Sequence, residues 1–332
     1  MKVYLYSQHQ SSIAKSGIGR AYLHQKEALK RVGVDVVDDR KEADLIHINT
    51  AFTGTPTMVH WAKKYHKPVI IHAHSTEEDF RNSFVGSNAV APLYGKWLKT
   101  IYNLGDAVIT PTPYAKRTLE AMEVKKPIVA ISNGIDVDYY RREKISKEAF
   151  RGEYGLGEGP VVLSVGLPIE RKGILDMAEI ARMLPEVNFL WFGGISTKLL
   201  TSQVKELMKR PPENLHFPGY ISREKLREAY YGADLFLFPS YEETEGIVVL
   251  EALAAEVPVL ARDIGVYEGW LEDGKSAHLA KSTREFLRKA RIILDHQCSD
   301  TRREGRKVAE SKSYDAVGRQ LKNLYEKVLR RR

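Results

Sequence analysis

A single cysteine, Cys298, in 332 residues has no partner to oxidise with, so an internal disulfide and a cysteine-based zinc cage are both excluded. A reducing compartment is the expected setting. Long apolar runs are missing as well. A membrane-spanning helix needs roughly 18 apolar residues in a row. The most apolar stretch, Gly246 to Ala261, is broken by Glu251 and Glu256. The opening MKVYLYSQHQ reads as a strand with no apolar core and small-residue cleavage site behind it, so no export leader is expected. Internal repeats and low-complexity tracts are absent. Apolar and charged fractions of 43% and 28% exclude a disordered or fibrous chain.

What is present is a modest positive excess, +8 overall, unevenly placed. Residues 1–142 hold 20 Lys/Arg against 14 Asp/Glu, while the rest holds 31 against 29. Such a surface suits an anionic partner (nucleic acid, an anionic membrane or phosphates), or it only keeps the chain soluble.

Short β-branched runs alternate with helix-length stretches throughout. In the first half the runs are Val3–Tyr6, Val34–Val37, Leu45–Ile48, Val69–His72, Ala107–Ile109 and Ile128–Ile131. In the second half they are Val161–Val165, Phe189–Phe192, Leu235–Phe238 and Val257–Ala261. Alternation of this kind predicts parallel sheets covered on both faces. The charged, glycine-rich stretch Asp138–Pro160 interrupts it, and the pattern restarts with VVLSVG. The expected fold class is therefore α/β, with two doubly wound Rossmann-like domains facing each other across a cleft. They span residues 1–140 and 141–314, and a C-terminal amphipathic helix, 315–332, packs back on the first. Ligands of such sheets bind beyond the carboxyl ends of the strands.

The candidate site residues follow from that rule. Ser16-Gly17-Ile18-Gly19 succeeds the first strand and opens a helix, where glycine lets a phosphate approach free N–H groups or simply makes the turn. Position 22 is Tyr, so the full dinucleotide fingerprint is absent. His72 and His74 end a strand on one face. They read as substrate contacts, core histidines or, lacking a third ligand, least readily as metal ligands. Arg171-Lys172 sits at a helix start, an unfavourable place for cations unless an anion arrives, unless the turn is merely an exposed basic one. Gly193-Gly194 is a second close-approach loop on the same side. Glu243 lies on a loop and Glu251 early in the next helix. Carboxylates accept hydrogen bonds from vicinal hydroxyls, which suits a sugar or ribose; a solvated acidic helix start is the alternative.

The Glu-x7-Glu block in FPSYEETEGIVVLEALA closely resembles the signature of retaining glycosyltransferases of family 4, which have the GT-B fold. The landmarks SGIG, HAHS, Asn133-Gly-Ile-Asp136, RKG, FGG and Pro218-Gly-Tyr220 fall in the order of that family, over essentially the whole chain. The resemblance implies that Glu251 holds the ribose hydroxyls of a nucleotide-sugar donor and Glu243 contacts the transferred sugar. It implies that the N–H groups of Gly246, Ile247 and Val248 approach sugar and phosphate, and that Arg171 and Lys172 neutralise the departing diphosphate. Gly17, Gly193 and Tyr220 would border the donor, and His74 would contact the sugar near the reacting carbon. No metal and no cofactor are implied, since two cations and helix dipoles replace one. Two departures stand out. Leu167 follows Gly166 where the family usually has arginine, and Thr244-Glu245 replaces a common Gly-aromatic pair on the sugar-facing loop.

Residues Leu93–Leu104, laid on a helix at about 100° per residue, gather Leu93, Tyr94, Trp97, Leu98, Ile101 and Leu104 on one face, with Lys96, Lys99, Thr100 and Asn103 opposite. Such a face suits a lipid headgroup interface or its own core. With HAHSTEEDFRNSF and the overall length, the chain looks most like bacterial diglycosyl-diacylglycerol synthases. That resemblance implies a UDP-glucose or UDP-galactose donor, a monoglycosyl-diacylglycerol acceptor, and monotopic attachment to the anionic cytoplasmic face of the cell membrane. A soluble relative acting on a polysaccharide or small acceptor is the alternative. A nucleic-acid partner is not expected, because no such motif occurs and the sharpest cluster is acidic.

Overall fold

The computed structural model describes residues 1–8, 16–141 and 147–330. Residues 142–146 of the predicted boundary stretch, and Arg331 and Arg332, lie outside the described residues. Contacts divide the chain into two units, one of Met1–Phe80, Asn88–Asp136 and Ser311–Arg332, the other of Arg81–Ser87 and Val137–Glu310.

The first unit is built from β1 (Lys2–Tyr6), α1 (Gly17–Arg31), β2 (Asp35–Val36), β3 (Leu45–Ile48), α2 (Thr55–Lys64), β4 (Val69–His72), α3 (Glu77–Phe80), α4 (Ser87–Tyr102), β5 (Ala107–Thr110), α5 (Pro113–Ala121) and β6 (Ile128–Ala130). The second contains α6 (Lys147–Tyr154), β7 (Val161–Val165), α7 (Ile174–Met183), β8 (Asn188–Phe192), α8 (Ser202–Lys209), β9 (Leu215–Gly219), α9 (Arg223–Gly232), β10 (Leu235–Phe238), α10 (Ile247–Ala254), β11 (Val259–Arg262), β12 (His278–Ala280), α11 (Thr283–Leu294) and α12 (Arg302–Ser311). The chain then returns to the first unit as α13 (Tyr314–Arg330).

Each unit holds a six-stranded parallel sheet, in the orders β2-β1-β3-β4-β5-β6 and β12-β11-β10-β7-β8-β9. The inner strands β3, β4, β5, β10 and β11 are buried at every position. That is why they read as unbroken apolar runs. Alternation sends Ile70 to the face covered by Ala28 and Leu29 of α1, and Val69 and Ile71 to the face covered by Val59 of α2 and Leu98 of α4. In the second sheet Phe189, Trp191 and Leu235 pack under Ile174 and Met177 of α7.

The sequence pattern misses two strands, β9 and β12. Both are edges, where one side needs no neighbour; β9 carries His216 and Pro218, and β12 is three residues long. The amphipathic stripe of α4 is a second departure. Leu98 and Ile101 are fully buried, and Tyr94, Trp97 and Leu104 pack on the same core. The stripe therefore covers its own sheet, because a helix beside an open sheet face buries apolar area there first. Of the stripe Leu93, 70% exposed, remains outside, and Val90, 50% exposed, stands one turn before it.

Helix α13 lies along α1. Tyr314, Val317, Leu321 and Tyr325 join the core formed by Val3, Leu5 and Leu29. The approach is close enough that a Cβ on Gly318 would stand 2.3 Å from the Ala28 carbonyl oxygen. Gly318→Val is therefore expected to force the two helices apart and cost about 1–3 kcal/mol. Calorimetry should show a melting temperature several degrees below wild type, and an unchanged value would mean that the contact bears no load.

Candidate active site

The strand order of the second sheet reverses between β7 and β10, so the crevice beyond Val165 and Phe238 is where a ligand belongs. The loops leaving those two strands bear Arg171 and Lys172 on one side and Glu243 on the other. A short 3-10 turn, Glu170–Lys172, presents the cations, and Gly173 follows it in the left-handed conformation with φ 76°. A Cβ there would lie 2.3 Å from the Pro239 carbonyl oxygen, so the absence of a side chain lets the two loops touch.

Lys172 Nζ makes a short ion pair with Glu243 Oε1, and Ser240 Oγ donates to the same oxygen at 2.6 Å. Among the described residues Glu243 Oε2 has no partner and is the oxygen left for a ligand. Burial pushes the Glu243 carboxyl up, but the charges of Lys172 and Arg171 and the two hydrogen bonds outweigh it and hold it below its ordinary value. Arg171 is engaged with protein: Nε donates to Ser83 Oγ at 2.9 Å and Nη1 to the Glu242 carbonyl at 2.6 Å. In this structure its guanidinium holds the Glu243 loop in place.

A buried network behind the site ties the same loops together. Arg262 Nε, at the end of β11, donates to the Pro239 carbonyl at 2.9 Å, and its guanidinium stacks 3.8 Å from the Tyr241 ring centre. Its Nη2 lies 3.1 Å from Asp176 Oδ1, which also accepts from Tyr241 Oη at 3.0 Å and Thr283 Oγ1 at 2.6 Å. Sequence reasoning missed Ser83, Ser240, Arg262 and Asp176. No local pattern marks them, because most of their partners are remote in sequence.

Helix α10 begins after Gly246, which is left-handed at φ 84° and, as the N-cap, offers no side chain to the free N–H groups of the first turn, where Ile247 and Val248 stand. Glu251 is fully buried one turn on and accepts from Tyr230 Oη at 2.9 Å through Oε2. Gly193 has another reason to be glycine: a Cβ would fall 1.9 Å from the Gly166 carbonyl oxygen, so its close approach is to that strand end. Tyr220 follows β9 and is 54% exposed. A cavity of about 640 Å³ opens at the opposite end of the sheet, by Pro160, Asp234 and Pro258, which precede β7, β10 and β11. That is the wrong end for strand-terminal chemistry.

In the first unit, Ser16 caps α1 by accepting from Gly19 N at 3.2 Å. The space beside Gly17 is open, with no atom within 4 Å of a built Cβ. His74 ends a ladder of stacked rings, 4.0 Å from His72, which lies 5.4 Å from His47. Gln25 Nε2 donates to His47 Nε2 and His72 Nδ1, both at 3.2 Å. Those nitrogens are therefore bare, and His47 Nδ1 carries the proton shared with Tyr325 Oη at 2.6 Å. His74 Nε2 meets Asn49 Oδ1 at 3.0 Å. Burial drives His47 and His74 down to about 3 and lowers His72 as well. Among the described residues no group of three or more His, Cys, Asp or Glu side chains could hold a metal ion.

Residues 16–139 match the family described as Glycosyltransferase Family 4, and residues 146–311 match Glycosyl transferases group 1. A processive diacylglycerol alpha-glucosyltransferase of Acholeplasma laidlawii is 43% identical over 99% of both chains. An alpha-galactosylglucosyldiacylglycerol synthase of Streptococcus pneumoniae is 27% identical over 95% of this chain and 87% of that one. Among solved structures, sucrose-phosphate synthase from Thermosynechococcus elongatus superposes with a TM-score of 0.81 over the whole of both chains at 19% identity. Anabaena HepE in complex with UDP-glucose gives 0.74 over 98% of this chain and all of that one at 18% identity.

The histidine ladder sets a pH dependence. The unfolded chain takes up protons near pH 6.5, while the folded rings refuse them until about pH 3. Stability is therefore whole above the upper value and drains away as the pH falls toward the lower one. Urea titrations across that interval are expected to show a falling midpoint, and a flat one would mean that the rings are charged in the fold.

Proposed function

Because the chain belongs to the group 1 and family 4 glycosyltransferases, with the GT-B fold, we propose that it moves a hexose from UDP-glucose or UDP-galactose to a monoglycosyl-diacylglycerol. The product is an α-linked diglycosyl-diacylglycerol. The observation that carries the reading is the partly buried Lys172–Glu243 pair at the strand-order reversal, beside the start of α10 that Gly246 leaves without a capping side chain. The printed names of the Acholeplasma and Streptococcus relatives support the glycolipid acceptor, and the UDP-glucose complex of the HepE neighbour supports the donor.

In this reading the donor's diphosphate meets Lys172 and the N–H groups of Gly246, Ile247 and Val248, while Arg171 adds charge from the loop it braces. The sugar hydroxyls donate to Glu243 and the ribose hydroxyls to Glu251. Gly193 and Tyr220 border the donor, and the roles given to Gly17 and to His74, neutral and oriented by Asn49, are those that the family resemblance implies. The sugar leaves as an oxocarbenium-like species, and the acceptor attacks on the face the diphosphate leaves. A diphosphate oxygen takes the acceptor's proton, so configuration is retained without a protein base. Charge stabilisation and positioning do the chemistry, with no metal required.

The enzyme works as a peripheral, monotopic protein on the anionic cytoplasmic face of the membrane. Among the described residues no helix is long and apolar enough to cross a bilayer. The positive excess of residues 1–142, with exposed Val90, Leu93 and Lys96 on α4, supports docking at an anionic surface.

Incubation with UDP-glucose or UDP-galactose and vesicles of glucosyl-diacylglycerol in anionic lipid is expected to release UDP and form a product one hexose heavier. EDTA should leave the rate unchanged, and neutral lipid should lower it. A parallel arm with diacylglycerol alone tests transfer to the unglycosylated lipid. No hexose transfer to glucosyl-diacylglycerol would end the reading, and transfer to diacylglycerol alone would replace its acceptor. Lys172→Ala should lower turnover by about two to three orders of magnitude, since one well-placed charge contributes about 3–4 kcal/mol. A loss of tenfold or less would remove Lys172 from the chemistry.

A further inference from the structure

Tyr267 closes the short turn Gly265–Tyr267 that follows β11. Its side chain is buried, 1% exposed, and meets Trp270 edge to face at 5.3 Å between ring centres. Its hydroxyl is shut off from solvent and has no hydrogen-bond partner among the described residues. A buried hydroxyl with no partner destabilises a fold, and phenylalanine would fill the same space without that penalty. The orphan therefore points to a partner that arrives from outside the chain.

Its position says where that partner sits. A Cβ built on Gly246 would lie 3.3 Å from Tyr267 Oη, so the hydroxyl stands directly behind the bare Cα at the start of α10. This is the helix terminus, without a capping side chain from Gly246, that follows the Glu243 loop. Burial, and after it the charge of Glu243, push the Tyr267 hydroxyl well above its ordinary value, so it stays protonated at neutral pH and can donate. Glu243, held ionised, can only accept. The two groups are complementary toward a hydroxylated ring, one taking a hydrogen bond and the other giving one.

We propose that Tyr267 is a further contact to the donor's sugar, its hydroxyl donating to a hexose oxygen held between Glu243 and the first turn of α10. The inference rests on reading this crevice as the nucleotide-sugar site. Lys172 and Glu251 answer for the diphosphate and the ribose in that reading, so Tyr267 bears on the hexose alone. Its contribution is to selection and orientation of the sugar. Gly246, against which the hydroxyl stands, puts no side chain between it and this turn.

The test is Tyr267→Phe, with thermal unfolding and calorimetric titration of UDP, UDP-glucose and UDP-galactose into wild type and variant. A donor contact predicts a melting temperature equal to or above wild type and a UDP affinity within about twofold. It also predicts binding of the sugar nucleotide that wild type prefers to weaken by about fivefold to tenfold, the worth of one neutral hydrogen bond. Equal weakening of UDP and the sugar nucleotides, or no weakening of either, overturns it. So does a lower melting temperature with unchanged affinities, which would assign the hydroxyl to the fold. Wild type failing to bind any of the three nucleotides is a separate result that removes the donor-site reading itself.

Discussion

The partly buried pair between Lys172 and Glu243 is the constraint on which the arrangement at the sheet crevice depends. Each charge sits on a loop leaving a different strand, so the pair forms only if β7 and β10 are neighbours with aligned carboxyl ends. Burial alone would push the glutamate's carboxyl up. The ammonium group, Ser240 and the nearby guanidinium of Arg171 keep it ionised. The crevice is thus charged and oriented as it stands, which is the preorganisation the proposed transfer would draw on.

Preorganisation extends one layer outward. Arg262 grips the Pro239 carbonyl and Asp176, and Asp176 gathers the hydroxyls of Tyr241 and Thr283. A buried ion pair is weak evidence of stability. Here its geometry links α7, the loop after β10, β11 and α11, the elements that set where Lys172 and Glu243 stand.

Much of this was legible in the sequence, and the reasons are local. The inner strands announced themselves because both faces are buried, as in Leu235–Phe238, and the acidic pair because Glu243 and Glu251 flank one helix start. The edge strands at Leu215 and His278 were not, since an edge needs little apolar patterning. Nor was the destination of the α4 stripe, because periodicity shows that a face is apolar and not what covers it. Ser83, Arg262 and Tyr267 are ordinary residues whose meaning comes from folding, and no spacing rule connects them to Glu243. The Gly193 reading shows the converse. A glycine in a loop signals proximity to something, and here that something includes the Gly166 carbonyl.

The return of α13 to the first unit carries a consequence for how the protein is made. Tyr314, Leu321 and Tyr325 complete a core begun by Val3, Leu5 and Leu29, so the face of the amino-terminal sheet that α1 covers is only part-packed until α13 has been synthesised. The segment Val137–Glu310 has all its strands by then and is able to close first. The unit whose chain begins first therefore cannot finish its core until the strands of the second have been made.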